Sequence, residues 1–194
     1  VGGDFIGAGG LFESDHIAKW NGSNWIAIGQ LYGTVYAIEI FSSLVHIGGA
    51  FTSGSGNSPY FVVYDDLNAQ WYGLGSALNG AVYAMDIDNT NLYIGGEFTN
   101  AGGNPDADVV ARYNLYNSTE WEAIGTSILT YDYYPNRAVK SLAVFGDDLY
   151  VGGEFWSPYN SYFNGVAYWN GTTWNSLYTG LFGECKALAI SGTD

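Results

Sequence analysis

The chain is poor in cations, cysteine and proline, and each shortage narrows what it can be. Of 194 residues only five are Lys or Arg, against 19 Asp or Glu, giving a formal net charge of −14 and an isoelectric point near 4.1. Phosphate backbones are held by clustered cations, so the composition argues against a nucleic-acid partner, and the same acidity disfavours adsorption to anionic lipid. Cys185 stands alone, cannot form an internal disulfide, and is silent about the redox compartment. No apolar run approaches the roughly 18 residues that a membrane-spanning helix needs, and no membrane insertion of this segment is expected. There is no initiator Met or leader pattern, as expected of a mature or excised segment. Four Pro beside 28 Gly point to many tight turns rather than to disorder, and no pattern supports a three-turn amphipathic helix.

What is present is a repeat. Glycine doublets fall at Gly2-Gly3, Gly48-Gly49, Gly95-Gly96 and Gly152-Gly153, each followed two residues later by Phe5, Phe51, Phe98 or Phe155. A second marker, a Trp opening a short apolar segment, recurs at Trp25, Trp71, Trp121 and Trp174. In the third unit, period-2 alternation marks four strands, at residues 81–87, 91–98, 108–114 and 120–125, here named A to D in order. Asn-Gly turns at 21–24 and 170–173 fit the gaps between C and D, because Asn-Gly supplies the positive φ of a two-residue hairpin. Four antiparallel strands in a unit of about 48 residues, repeated, predict an all-β fold: a β-propeller of four-stranded blades. The units are 1–33, 34–80, 81–137 and 138–183, in a single domain over 1–194. The glycines are expected to serve positive φ or close approach between blades, and the Phe after them to plug the interface.

The glycine doublet after an apolar run, an aromatic on strand C (Trp20, Tyr64, Tyr113, Tyr168) and the Trp opening strand D together resemble the kelch motif of kelch-like and galactose-oxidase-type propellers. The phrase "LYIGGEFTNAGG" with "VKSLAVFGDDLYVGGEF" is similar to G-G-x-F repeats of secreted bacterial surface propellers and of fungal cortical polarity-marker glycoproteins. The resemblance implies a fold and a secreted setting, and it leaves function to be argued from the site.

The chain starts within strand B and ends just after a strand A, so residues 184–194 are expected to complete the first blade. That would close four blades and leave no open edge; membership of a larger propeller is the alternative. The irregular segments 126–137 and 156–165 carry the expected ligand-binding residues: Tyr131, Asp132, Tyr133, Tyr134, Arg137, Trp156, Tyr159 and Tyr162. Tyr offers contact area and a hydroxyl at low entropic cost and stacks on sugar rings.

No catalytic constellation emerges. A sialidase-like site needs clustered arginines, and the chain has only Arg112 and Arg137. A copper oxidase needs its His, Tyr and Cys together, whereas His16, His46 and Cys185 belong to three different strands. No spacing selects a carboxylate pair for glycoside hydrolysis. A metal site is unassigned; Asn104, Asp106 and Asp108 alternate as calcium-loop oxygens do, but without the Gly and distant Glu of an EF-hand loop. No cofactor is expected, calcium being the one candidate. Asp4, Glu97 and Glu154 follow their doublets at equivalent positions; facing the axis they would form a negative ring able to hold a cation, and facing solvent, the expected placement, they add solubility and protect edges. Sequons at Asn21, Asn117 and Asn170 fall in C to D turns and are candidates for glycosylation. The sequence therefore suggests a non-catalytic extracellular or cell-surface module for adhesion, assembly or protein interaction, with a protein or glycan partner or self-assembly. A carbohydrate-binding, lectin-like propeller is the alternative, and a glycoside hydrolase the weaker one.

Overall fold

A computed structural model of the chain describes residues 1–125, 137–155 and 164–191. Three antiparallel sheets of four strands follow one another along the chain, each pairing its strands in sequence order. The first consists of β3 (Val35–Phe41), β4 (Leu44–Gly49), β5 (Phe61–Asp65) and β6 (Gln70–Tyr72). The second consists of β7 (Val82–Ile87), β8 (Asn91–Gly96), β9 (Val110–Asn114) and β10 (Glu122–Ala123). The third consists of β11 (Ala138–Phe145), β12 (Asp148–Glu154), β13 (Val166–Trp169) and β14 (Trp174–Ser176). These are the A to D strands of the second, third and fourth units. The first unit is shorter: β1 (Lys19–Trp20) pairs with β2 (Trp25–Ile26), and an isolated bridge joins Gly2 to Ile17. Helix among the described residues is confined to 3-10 turns at Ala8–Gly10 and Ala101–Gly103, in the same B to C connection of two units.

One joint recurs in all four units. The residue just before strand C is left-handed: His16, Tyr60, Val109 and Gly165 have φ of 64°, 66°, 55° and 66°. Each donates its backbone N–H to the carbonyl of the motif Phe (Phe5, Phe51, Phe98, Phe155) and accepts at its own carbonyl from the second glycine of the doublet. Left-handed backbone is strained for His, Tyr and especially β-branched Val, and here two hydrogen bonds hold it in every copy.

The doublets face their neighbours for steric reasons, and none has positive φ. A Cβ on the first glycine would collide with the opening side chain of the next strand A: Val35 over Gly2, Val82 over Gly48, Val139 over Gly95. A Cβ on the second glycine would strike the carbonyl oxygen just before the Val that opens the interface in the unit's own strand A: Thr34 for Gly49, Ala81 for Gly96, Ala138 for Gly153. The resulting close approach buries three successive cores. Phe51 packs with Ile17, Val35 and Val62; Phe98 with Val63, Val82 and Leu92; Phe155 with Ala84, Val139 and Val151. Phe51 and Phe98 are completely buried, each stabilising the fold by about 1.5 to 3 kcal/mol.

At the outer strands an aromatic of strand C packs on the Trp of strand D: Trp20 on Trp25, Tyr64 on Trp71, Tyr113 on Trp121, Trp169 on Trp174, with ring centres 4.9 to 5.6 Å apart. The fourth-unit member is thus Trp169 and not Tyr168, which stacks on Tyr150 instead. Adjacent aromatics in "YW" conceal this one-residue register, which the pairing of Leu149 with Trp169 fixes. The Trp71 and Trp174 indoles donate to the carbonyls of Ile28 and Ile124 in the preceding unit, both at 2.8 Å.

The C-terminal segment departs from expectation. Residues 185–191 form no strand, and no pairing joins them to residues 1–5 among the described residues. Cys185 packs instead on the last sheet. It covers Gly152, as Val139 covers Gly95, and its N–H donates to the Gly153 carbonyl at 3.1 Å. Val35 makes the corresponding bond to Gly3 at 3.4 Å.

Candidate functional site

Strands β3, β7 and β11 are the inner A strands, and each shows a register shift near its start, after Val35, Val82 and Val139, passing over Tyr36, Tyr83 and Lys140. A bulge re-aims the side chain it carries. The three side chains meet: the Tyr36 and Tyr83 rings are 5.1 Å apart, and Lys140 Nζ sits 3.4 Å from the centre of the Tyr83 ring. At that distance the ring quadrupole attracts the ammonium. The Tyr83 hydroxyl donates to Glu97 Oε2 at 2.7 Å. Burial first, then the Glu97 bond and charge, push the Tyr83 phenol well above its ordinary range, so it stays a neutral donor.

Beside this ladder lies a cleft of about 450 Å³ lined by Tyr60, Asn79, Gly80, Glu97, Arg137, Ala138, Lys140 and Glu154. It draws on three successive units. Tyr60, at its left-handed joint, and Asn79 come from the second unit, Glu97 and Arg137 from the third, and Lys140 and Glu154 from the fourth. Asn79 is fixed by a reciprocal pair of bonds, its amide donating to Thr99 Oγ1 and its carbonyl accepting from the Thr99 N–H. Glu97 and Glu154 are exposed, and both still line the cleft.

The distribution of cations is uneven. Lys19 pairs with Asp66 at 2.6 Å, Arg112 with Glu122 at 3.0 Å and Lys186 with Glu184 at 3.4 Å. Arg137 and Lys140 are the other two of the five, and among the described residues neither has a carboxylate within 4.0 Å. Arg137 Nη1 is buried without a hydrogen-bond partner among those residues. No family model matches the chain, and no curated protein is similar to it. The site must be read from its own chemistry: two cations, two carboxylates, an amide and a phenol converge in a cleft of the size that small ligands occupy.

Of the residues expected at the site, Arg137 lies in the cleft, while Tyr131, Asp132, Tyr133, Tyr134, Trp156, Tyr159 and Tyr162 lie outside the described residues. The candidate calcium ligands have local partners. Asn104 Oδ1 accepts from the Asp106 N–H, and Asp108 Oδ1 from the Asn100 N–H, so both carry out turn chemistry. Among the described residues no group of three His, Cys, Asp or Glu is placed to hold a metal ion. The sequon residues Asn21, Asn117 and Asn170 are exposed in turns; Asn21 and Asn170 each accept from the N–H groups two and three residues on. Sequence reasoning missed Tyr60, Asn79, Tyr83 and Lys140. The available signal was Lys140 itself, a charged residue at the place where "VYAIEIF" and "VYAMDI" carry Tyr.

A second cleft, of about 500 Å³, is lined by Glu39, Ile40, Phe41, Ile87, Asp88, Asn89, Val144 and Gly146 at the opposite ends of the inner strands. It holds carboxylates and no cation. Burial, and then the neighbouring Asp86, raise the Glu39 carboxyl above its ordinary value.

Proposed function

We propose that the chain is a β-propeller acting as a non-catalytic extracellular or cell-surface module for adhesion, assembly or protein interaction, its first blade completed by residues 184–191. Gly3 carries the architectural half of this reading. In the other three units a Cβ on the second glycine would meet the carbonyl before the Val that opens the interface; on Gly3 it would meet only the Phe5 ring, no closer than 3.4 Å. The sequence keeps a glycine where the unpaired edge needs none. Placing Cys185 opposite Gly3, as Val35 is opposite Gly49 and Val139 opposite Gly153, restores that need through the Glu184 carbonyl. The same register brings Lys186 to the Lys140 position and Asp4 to the Glu154 position, two opposite charges on one blade. Closure would also remove an open strand edge.

The functional half rests on repetition. The same joints recur in every unit, and a departure from repetition, Lys140 where the second and third units carry Tyr36 and Tyr83, lies in the cleft, as expected of a binding surface set on a rigid scaffold. Kelch-like or G-G-x-F propeller relatives, a secreted setting and used sequons are part of the same proposal, as is the absence of a required cofactor. Surface plasmon resonance against panels of extracellular proteins and glycans tests it: saturable binding without turnover of the bound partner is expected, and steady consumption of a bound glycan would contradict it.

The cleft favours a second reading, a carbohydrate-binding propeller, because its amide, phenol and carboxylates suit the donors and acceptors of sugar hydroxyls. On that reading a glycan array gives saturable binding that is lost on changing Tyr131, Tyr133 or Tyr134.

A further inference from the structure

We propose that the cleft shared by the second, third and fourth units recognises a carboxylate borne on a hydroxyl-rich ligand, the chemistry of a uronic-acid residue in an acidic oligosaccharide. This rests on the carbohydrate-binding reading and specifies its ligand.

The argument starts from scarcity. The chain has five cations among 19 carboxylates, and three of the five are paired with a neighbour. The two without a carboxylate partner among the described residues, Arg137 and Lys140, line the same cleft. A buried guanidinium N–H without an acceptor is costly, and a planar carboxylate satisfies it through parallel hydrogen bonds. Lys140 is held in place before any ligand arrives, because Tyr83 lies under its ammonium and Glu97 anchors the Tyr83 hydroxyl. A ligand carboxylate is therefore met by a pre-organised charge, which lowers the entropic cost of binding.

The other lining groups set the ligand's remaining chemistry. Glu97, Glu154 and the Asn79 amide present acceptors, and Tyr60 a phenol, where the hydroxyls of a sugar ring would lie. Two carboxylates against two cations leave the cleft near neutral. That balance suits a singly charged carboxylate and works against a doubly charged phosphate, as does the net charge of −14 around it.

Isothermal titration of the purified chain with trigalacturonate, and with the same trisaccharide after reduction of its carboxyls, tests the proposal. The acid is expected to bind with a dissociation constant below about 1 mM. The reduced sugar should bind at least about tenfold more weakly, as should trigalacturonate to Lys140→Met or Arg137→Gln, since a charge-assisted bond is lost in each case. Thermal unfolding of each variant establishes that it is folded; should Arg137→Gln fail to fold, Lys140→Met decides. Inorganic phosphate as a competitor should displace the acid only weakly. Equal affinity for acid and reduced sugar, or unchanged affinity in a folded Lys140→Met, overturns the proposal and leaves the carbohydrate reading standing. No binding of either sugar up to about 10 mM, together with a blank glycan array, overturns both.

Discussion

Cys185 lies on Gly152 as Val139 lies on Gly95, although one belongs to a segment with no strand pairing among the described residues and the other to a complete sheet. The packing of one unit on the next is therefore specified by the interface itself, and strand pairing is not required to set it. Cys185 is 8 % exposed and fills a position held by Val in the other three copies. Cys185→Val should keep stability within about 1 kcal/mol of the parent, because the swap is apolar and close in volume. Cys185→Asp should cost several times that, by burying a charge against the glycine. Urea unfolding of both variants measures the difference.

The inner strands are also tied by a charged bond. Asp86 Oδ2 accepts from the Val144 N–H at 2.6 Å, joining β7 to β11. Asp86→Ala leaves that N–H without its acceptor and should destabilise the chain by about 1 to 3 kcal/mol. By contrast, Lys19→Met breaks the half-exposed pair with Asp66 and should change stability by less than about 1 kcal/mol, an effect that shrinks further in salt. The two unfolding midpoints, compared at low and high salt, separate the cases.

His46 on β4 is fully buried, and burial lowers its imidazole to about 4, an effect the Glu39 backbone opposes only in part. Its folded value lies below the ordinary 6.5, so acid protonates the unfolded chain first. The stability tied to His46 is present above pH 6.5 and is lost as pH falls from there towards 4, by about 3 kcal/mol in total. Glu39, paired opposite His46 and raised by burial and by Asp86, has the reverse sign: it stabilises at low pH and loses that contribution as pH rises through its folded value. His46→Phe should flatten the fall between pH 6.5 and 4 while leaving the Glu39 contribution in place. A parallel pH profile of the variant and the parent would contradict this assignment.

Much of the fold was legible because period-2 alternation and turn residues coincide. Residues 91–98 were expected as a strand and β8 runs Asn91–Gly96; 108–114 were expected and β9 runs Val110–Asn114. The left-handed joints were not legible, since His16, Tyr60 and Val109 are not residues that signal positive φ, and only the hydrogen bonds around them enforce it. Nor was the site. Lys140 and Tyr83 sit inside apolar strands whose alternation sends them to a sheet face, and the bulges at which Lys140 meets the Tyr83 ring leave no mark in composition. Tyr is conspicuous in the segments 126–137 and 156–165, whereas the residues of the cleft are scattered singly along the chain. Arg137, at the end of the first of these segments, also lines the cleft.

The account stands most directly on Gly3→Ala. Its backbone has no positive φ, and at the open edge an added methyl would meet only the Phe5 ring, so an unpaired strand would be left unchanged or gain about 0.4 to 1 kcal/mol from a less flexible unfolded chain. If residues 184–191 complete the first blade, that methyl meets the Glu184 carbonyl, and Gly3→Ala should cost about 2 to 3 kcal/mol, the loss also expected of Gly96→Ala and Gly153→Ala. Urea unfolding of the three variants reads the answer: matching losses are the predicted result, and a Gly3→Ala chain as stable as the parent beside two weakened ones would contradict the completed ring.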